Sequence, residues 1–141
     1  MKRIASAVWT GSLKEGKGTV STESGVLSET GYSFATRFGE EKGTNPEELI
    51  AAAHAACFSM ALSAALVKAG FEPNRIRTQA SLDLENLEGN WSIRSIQLDA
   101  AARVPDISDD QFQNIADDAK ANCPVSRVLK ANITLSARLE D

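Results

Sequence analysis

Apolar and polar positions divide the chain into segments of different period. Three stretches near the N-terminus, Ala5–Thr10, Gly18–Ser24 and Tyr32–Phe38, are rich in Val, Thr, Trp, Tyr and Phe and are punctuated by Gly and Ser. This pattern predicts three strands. In the third, Phe34, Thr36 and Phe38 alternate with Ser33, Ala35 and Arg37, so a strand with both phenylalanines facing the core puts Arg37 on the other face. Gly43-Thr44-Asn45-Pro46-Glu47-Glu48 then reads as a helix start. Asn45 suits the N-cap, Pro46 the first helical position, and the two acids the positive end of the helix dipole. The helix should run to about Ala69 and stop at Gly70. Between Leu49 and Val67 its only non-apolar residues are His54, Ser59 and Ser63. A helix without a polar face is expected to be buried all round. The run approaches the length of a membrane span. Alanine dominates it, however, and nothing else in the chain looks membranous. The economical expectation is a second subunit, packed helix on helix through small Ala and Ser side chains.

Beyond Gly70 the period returns to two. Ile76–Leu87 and Trp91–Val104 flank the turn residues Glu88-Gly89-Asn90, a hairpin signal. In the second of these strands Trp91 and Ile93 share one parity, while Ile96, Leu98, Ala100 and Ala102 share the other. That switch predicts a β-bulge near Arg94-Ser95. Ser108-Asp109-Asp110-Gln111 is a capping-box start for a helix to about Ala121. Cys123-Pro124 opens a short helix to about Lys130, and Ile133–Leu139 alternates as a last strand. The order βββ-α-ββ-α-α-β is that of an α+β fold, and 141 residues suit one domain spanning 1–141.

Charge and composition narrow the function. The net charge is −4, without a block of five like charges, which argues against nucleic acid or an anionic membrane surface as the main partner. The N-terminus is basic but lacks the apolar stretch of a signal peptide, so a cytoplasmic location is expected. In that compartment Cys57 and Cys123 are unlike a permanent structural bridge; they are structural free thiols or redox-active ones.

Most site chemistries lack their residues. Two Cys and one His without paired spacing make no standard zinc site. The glycines fit no phosphate-loop fingerprint. A Ser/His/Asp triad would have to use His54 inside the apolar helix, and no nucleophile elbow is present. The spacing of 66 positions between the cysteines is not that of a thioredoxin-like motif. The two thiols remain, and each is equally readable as a small buried hydrophobe. Cys123 precedes Pro124 at a helix start, where the dipole favours a thiolate. Cys57 lies mid-helix, so its thiolate needs a charged neighbour. His54 is one candidate, three residues earlier on the same helical face, although a hydrogen-bonded core histidine is the plainer reading. Arg37 is the other; it is also readable as a solvated strand residue.

Four stretches resemble the OsmC/Ohr family: GTVSTESGVL (Gly18–Leu27), TRF around Arg37, GTNPEELIAAAHAACFSMAL (Gly43–Leu62) and CPVSRVLKANITL from Cys123. Together they run over essentially the whole chain, and the third is highly specific. The resemblance implies an intertwined cytoplasmic homodimer with long buried central helices between curved antiparallel sheets. It implies a cysteine-based peroxidase that needs no cofactor, reduces hydroperoxides (organic ones by preference) and is regenerated by an external dithiol. The family's reactive cysteine corresponds to Cys57, its second cysteine to Cys123, and its site arginine and glutamate to Arg37 and Glu47. Glu48 is not the matching acid, and the resemblance gives His54 no role.

That chemistry agrees with the residue types. A Cys57 thiolate attacks the O–O bond and becomes a sulfenic acid, which condenses with Cys123 to a disulfide. A guanidinium activates the thiolate and stabilises the departing alkoxide. Phe38, Phe58, Met60 and Leu62 lie near the motif, and some of them should line an apolar pocket beside Cys57. Glu47 and Cys57 are ten residues apart on one helix, roughly 15 Å along its axis, so one site holding both takes Glu47 from the other subunit. A non-catalytic stress or binding protein, whose cysteines only sense oxidant or pack, is the alternative.

Overall fold

A computed structural model describes residues 1–141. The chain divides into two compact units, Met1–Leu49 and Ile50–Asp141, which are described in turn.

In the first unit β1 (Ala5–Thr10), β2 (Lys17–Thr22) and β3 (Thr30–Tyr32) form an antiparallel sheet in the order β1-β2-β3. The strand expected over Tyr32–Phe38 ends at Tyr32, and α1 (Phe34–Phe38) follows as a short helix. A capping box decides this. The Ser33 side chain accepts the Thr36 amide, and the Thr36 hydroxyl accepts the Ser33 amide. Phe34 and Phe38 then stack one turn apart, with ring centroids 5.0 Å from each other.

α2 (Pro46–Lys68) begins as expected. Asn45 Oδ1 caps it by accepting the Glu48 amide at 2.8 Å. Its C-terminus closes in a Schellman arrangement: Gly70, at φ +93°, donates to Val67 O at 3.0 Å, and Phe71 donates to Leu66 O at 2.9 Å. The helix is not buried all round within one chain. His54, Phe58, Leu62 and Leu66, each four residues from the next, are wholly buried. Ala52, Ala53, Ala56, Met60, Ala64 and Val67 on the other side are exposed, Met60 at 76%. Expected burial is therefore met on one face and fails on the other. By length and composition alone α2 is the one helix able to cross a membrane.

In the second unit β4 (Arg75–Leu87) and β5 (Asn90–Arg103) pair through a two-residue turn, with Glu88 at φ 53° and Gly89 at φ 89°. Both central residues are left-handed, as the tight hairpin requires. Asp83 pairs with Ser95 but Leu84 with Ile93, so Arg94 is the extra residue of the expected bulge. α3 (Asp109–Asn122) starts at the Ser108–Gln111 capping box, and α4 (Pro124–Val128) follows at once. β6 (Asn132–Leu139) pairs with β5 in parallel. The sheet is therefore mixed, which corrects the expectation of antiparallel sheets. The chain passes through α3 and α4 between the two strands, and such a crossover can return it in the direction of β5.

The core of this unit is one cluster. Phe58, Leu62 and Leu66 of α2 join Ile96, Leu98 and Ala100 of β5 and Phe112 and Ala116 of α3. Each large side chain buried there contributes about 1.5–3 kcal/mol. A 2.7 Å hydrogen bond between the Ser59 and Thr78 hydroxyls ties α2 to β4.

Candidate active site

Cys57 comes from the middle of α2 and Cys123 from the joint between α3 and α4. Cys123 closes one helix, its N–H donating to Ala119 O at 2.9 Å, and stands as N-cap of the next, with Pro124 in the first helical position. This brings two residues 66 positions apart into contact, Sγ to Sγ 2.9 Å. Both are free thiols, Cys57 part-buried and Cys123 wholly buried. A disulfide needs a further approach of about 0.9 Å to reach a bond of roughly 2.05 Å.

A second contact runs beside the first. His54 Nε2 lies 2.8 Å from Ser126 Oγ. His54 and Cys57 are one turn apart on α2, and Cys123 and Ser126 are one turn apart at the start of α4. The histidine is wholly buried, as the plainer reading expected, and its Nδ1 has no hydrogen-bond partner. Burial holds its pKa below the usual value of 6.5.

The thiols differ electrostatically. Burial pushes the Cys57 thiol up, and the hydrogen bond with Cys123 adds to this. Burial also opposes ionisation of Cys123, but its hydrogen bonds with Cys57, with the Ser126 amide and hydroxyl, and with the Val125 amide outweigh it and lower the pKa. Within one chain Cys123 is therefore the more readily ionised of the two thiols. Activating Cys57 requires a cation that the sulfur pair does not itself supply.

Arg37 and Glu47 form a separate pair in the first unit. Arg37 Nε lies 3.0 and 3.1 Å from the two carboxylate oxygens of Glu47, and Nη2 lies 2.6 Å from Oε1. Glu47 is buried, and the guanidinium also sits 5.0 Å from the Phe38 ring centroid. Trp9, Leu13, Tyr32, Phe34 and Phe38 line a cleft of about 240 Å³ with Arg37. Of the four apolar residues expected to line a pocket beside Cys57, Phe38 lines this cleft beside Arg37 instead, Phe58 and Leu62 are consumed by the core, and Met60 is exposed. The sequence reading did not single out Ser126. Its signal was the spacing in Cys-Pro-Val-Ser, which sets a hydroxyl one turn after the cysteine.

Facing thiols on this scaffold define the site of a dithiol protein. The family described as OsmC-like protein matches residues 39–138. Over 134 residues the chain is 56% identical to the peroxiredoxin OsmC of Escherichia coli (strain K12), covering 95% of this chain and 94% of that one. It is 32% identical over 98 residues to the organic hydroperoxide resistance protein of Xanthomonas axonopodis pv. citri (strain 306), covering 69% of this chain and 67% of that one. The crystal structure of the organic hydroperoxide resistance protein OhrB of Bacillus subtilis superposes with a TM-score of 0.68 at 26% identity, over 97% of this chain and 98% of that one. The chain belongs to the OsmC/Ohr family.

Proposed function

We propose that this chain is a thiol-dependent peroxidase that reduces hydroperoxides, organic ones by preference, through Cys57 and Cys123. The observation that carries this reading is the 2.9 Å contact between one part-exposed and one buried free thiol. The Cys57 thiolate attacks the terminal oxygen of the peroxide, the O–O bond breaks, and the alcohol leaves once its alkoxide is protonated. The Cys57 sulfenic acid then meets Cys123. The S–S bond forms, the S–O bond breaks and water departs. The two thiols have supplied both electrons, and an external dithiol restores them.

Activation of Cys57 belongs to Arg37, held by Glu47 through a charge-assisted fork. Glu47 and Cys57 lie on one helix with a rise of roughly 15 Å between them. We therefore assign Arg37 and Glu47 together to the Cys57 of a second copy, in a cytoplasmic homodimer with two equal sites. The exposed apolar face of α2 and the wholly exposed β1, with Val8 and Trp9, support that assembly. The identities with the E. coli peroxiredoxin and the Xanthomonas hydroperoxide resistance protein support the substrate class.

The test is consumption of an alkyl hydroperoxide by the purified chain with a dithiol reductant. Sustained turnover is expected. One equivalent of peroxide consumed and then nothing, with reductant in excess, is what an oxidant sensor would give.

A further inference from the structure

The contact between His54 and Ser126 has no part in the chemistry above, yet it sits one helical turn from the sulfur pair on both elements. Two rungs join α2 to α4: Cys57 to Cys123 at 2.9 Å and His54 to Ser126 at 2.8 Å. A histidine wholly buried with an unpartnered Nδ1 is costly unless its other nitrogen does something.

The unpartnered atom indicates which tautomer is present. Buried N–H groups are almost never left without an acceptor, whereas an unmatched lone pair is better tolerated. On this pattern the proton is assigned to Nε2, and Nδ1 carries the bare lone pair. Nε2–H then donates to Ser126 Oγ. A hydroxyl has one proton, and with its oxygen already accepting from His54, that proton is directed to another acceptor. The Cys123 sulfur stands three residues earlier, at the start of the same helix, and the Ser126 side chain is among the groups that favour its thiolate.

We propose that His54 is a positioning residue for the resolving thiol: it orients the Ser126 hydroxyl to donate to Cys123 Sγ, stabilising the thiolate that closes the disulfide. This deepens the peroxidase reading and rests on it for the role of Cys123. In the closing step the Cys123 thiolate displaces hydroxide from the Cys57 sulfenic acid, and the hydroxide takes up the proton that Cys123 gave up on ionising. Thiol and sulfenic acid become disulfide and water, with no outside oxidant. Ser126 gives up no proton and His54 none; they hold a dipole against a developing charge.

The surroundings leave few other groups to titrate. Cys57 and His54 on α2 and Cys123 on α4 are the ionisable side chains that meet here. The core residues that share their cluster, Phe58, Ile96, Leu98, Phe112 and Ala119 among them, are apolar, and Arg127 on α4 is exposed. In the proposed dimer the Arg37 guanidinium of the second copy approaches Cys57 as well.

The experiment uses the full-length chain carrying Cys57→Ser, so that one thiol remains. Its ionisation is followed by thiolate absorbance near 240 nm, alone and combined with Ser126→Ala, His54→Leu or His54→Gln. A hydrogen bond to a charged group implies a midpoint raised by roughly one to two pH units in Ser126→Ala and His54→Leu, a 10- to 100-fold smaller ionisation constant. Gln, whose side-chain amide can donate in place of Nε2–H, should restore most of the shift. An unchanged midpoint in Ser126→Ala, or a His54→Gln midpoint as high as that of His54→Leu, would overturn the proposal. If His54→Leu does not fold, Ser126→Ala decides, since it removes a single oxygen.

In the two-cysteine chain the interval from sulfenic acid, trapped with dimedone, to disulfide should lengthen by the same factor at neutral pH and recover at alkaline pH. Slowing by a constant factor at every pH would mark a merely structural role and sink the assignment. A parent chain that consumes no hydroperoxide would instead defeat the peroxidase reading, and the titration would still decide the His54–Ser126 contact.

Discussion

Arg37 and Glu47 face each other so that three N–O distances fall between 2.6 and 3.1 Å, with the carboxylate buried and the guanidinium a third exposed. Such a fork fixes the plane of the guanidinium, which a lysine could not reproduce. Arg37→Lys and Glu47→Gln should each lower kcat/KM at least tenfold while both cysteines remain titratable. Parent-like kinetics in Arg37→Lys would show that the planar fork is unimportant.

Because Arg37 and Glu47 belong to one chain and are assigned to the thiols of the other, inactive variants should complement. A Cys57→Ser chain mixed with a Glu47→Ala chain, unfolded and refolded together, should regain one intact site per heterodimer. Activity should rise above that of either parent. Verified heterodimers without any recovery would defeat the shared site.

Cys57→Ser should abolish turnover. Cys123→Ser should consume one equivalent of peroxide per chain to reach the sulfenic acid and a second, without turnover, to reach sulfinic acid, visible by intact mass. If Cys57→Ser consumed hydroperoxide at the parent rate, the order of the two thiols would have to be abandoned.

The cleft beside Arg37 is walled by aromatic rings, so an alkyl hydroperoxide should show a higher kcat/KM than hydrogen peroxide. Phe38→Ala should narrow that ratio by raising KM for the alkyl substrate. A ratio that favours hydrogen peroxide would refute an apolar site.

His54 is the single histidine of the chain, so its linkage can be read cleanly. Its folded pKa lies below the unfolded value of 6.5, hence the unfolded state binds more protons under mildly acid conditions. Its contribution to stability is complete above about pH 6.5 and is lost as pH falls toward the lowered folded pKa. Urea midpoints of the reduced protein should therefore drop between pH 7 and pH 5.5, and that slope should flatten in His54→Gln. An equal slope in the variant would assign the acid sensitivity elsewhere.

Much of this architecture was legible because local chemistry fixed it. Asn45-Pro46-Glu47-Glu48 and Gly70 bounded α2, and the parity change around Arg94 located the bulge. Phe34–Phe38 misled because alternation at 34, 36 and 38 also spaces two rings four apart, as a helix does. The Ser33–Thr36 box was the decisive signal. The direction of β6 was not legible, since strand polarity depends on where α3 and α4 return the chain. Residue type singled out the thiol pair and Arg37 as candidates, and the resemblance supplied Glu47 and the roles of all four. No local pattern could join His54 to Ser126 across 72 positions.

Met60 stands 76% exposed on the α2 face that carries Ala52, Ala53, Ala56, Ala64 and Val67. If α2 carries the proposed dimer interface, Met60→Glu should give monomers by light scattering and abolish turnover. A stable dimer in that variant would move the interface off α2.

The burial difference between the two sulfurs gives re-reduction a direction. Cys123 is sealed in the core, whereas Cys57 keeps some access, so in the proposed disulfide an incoming thiolate should strike the Cys57 sulfur. The mixed disulfide should form there, with Cys123 as the leaving group. A thiol of lowered pKa leaves faster. A mixed adduct found on Cys123 would contradict this. On this proposal the polar contacts around Cys123 act on the bond from both sides, helping it to close against a sulfenic acid and to open toward a reductant.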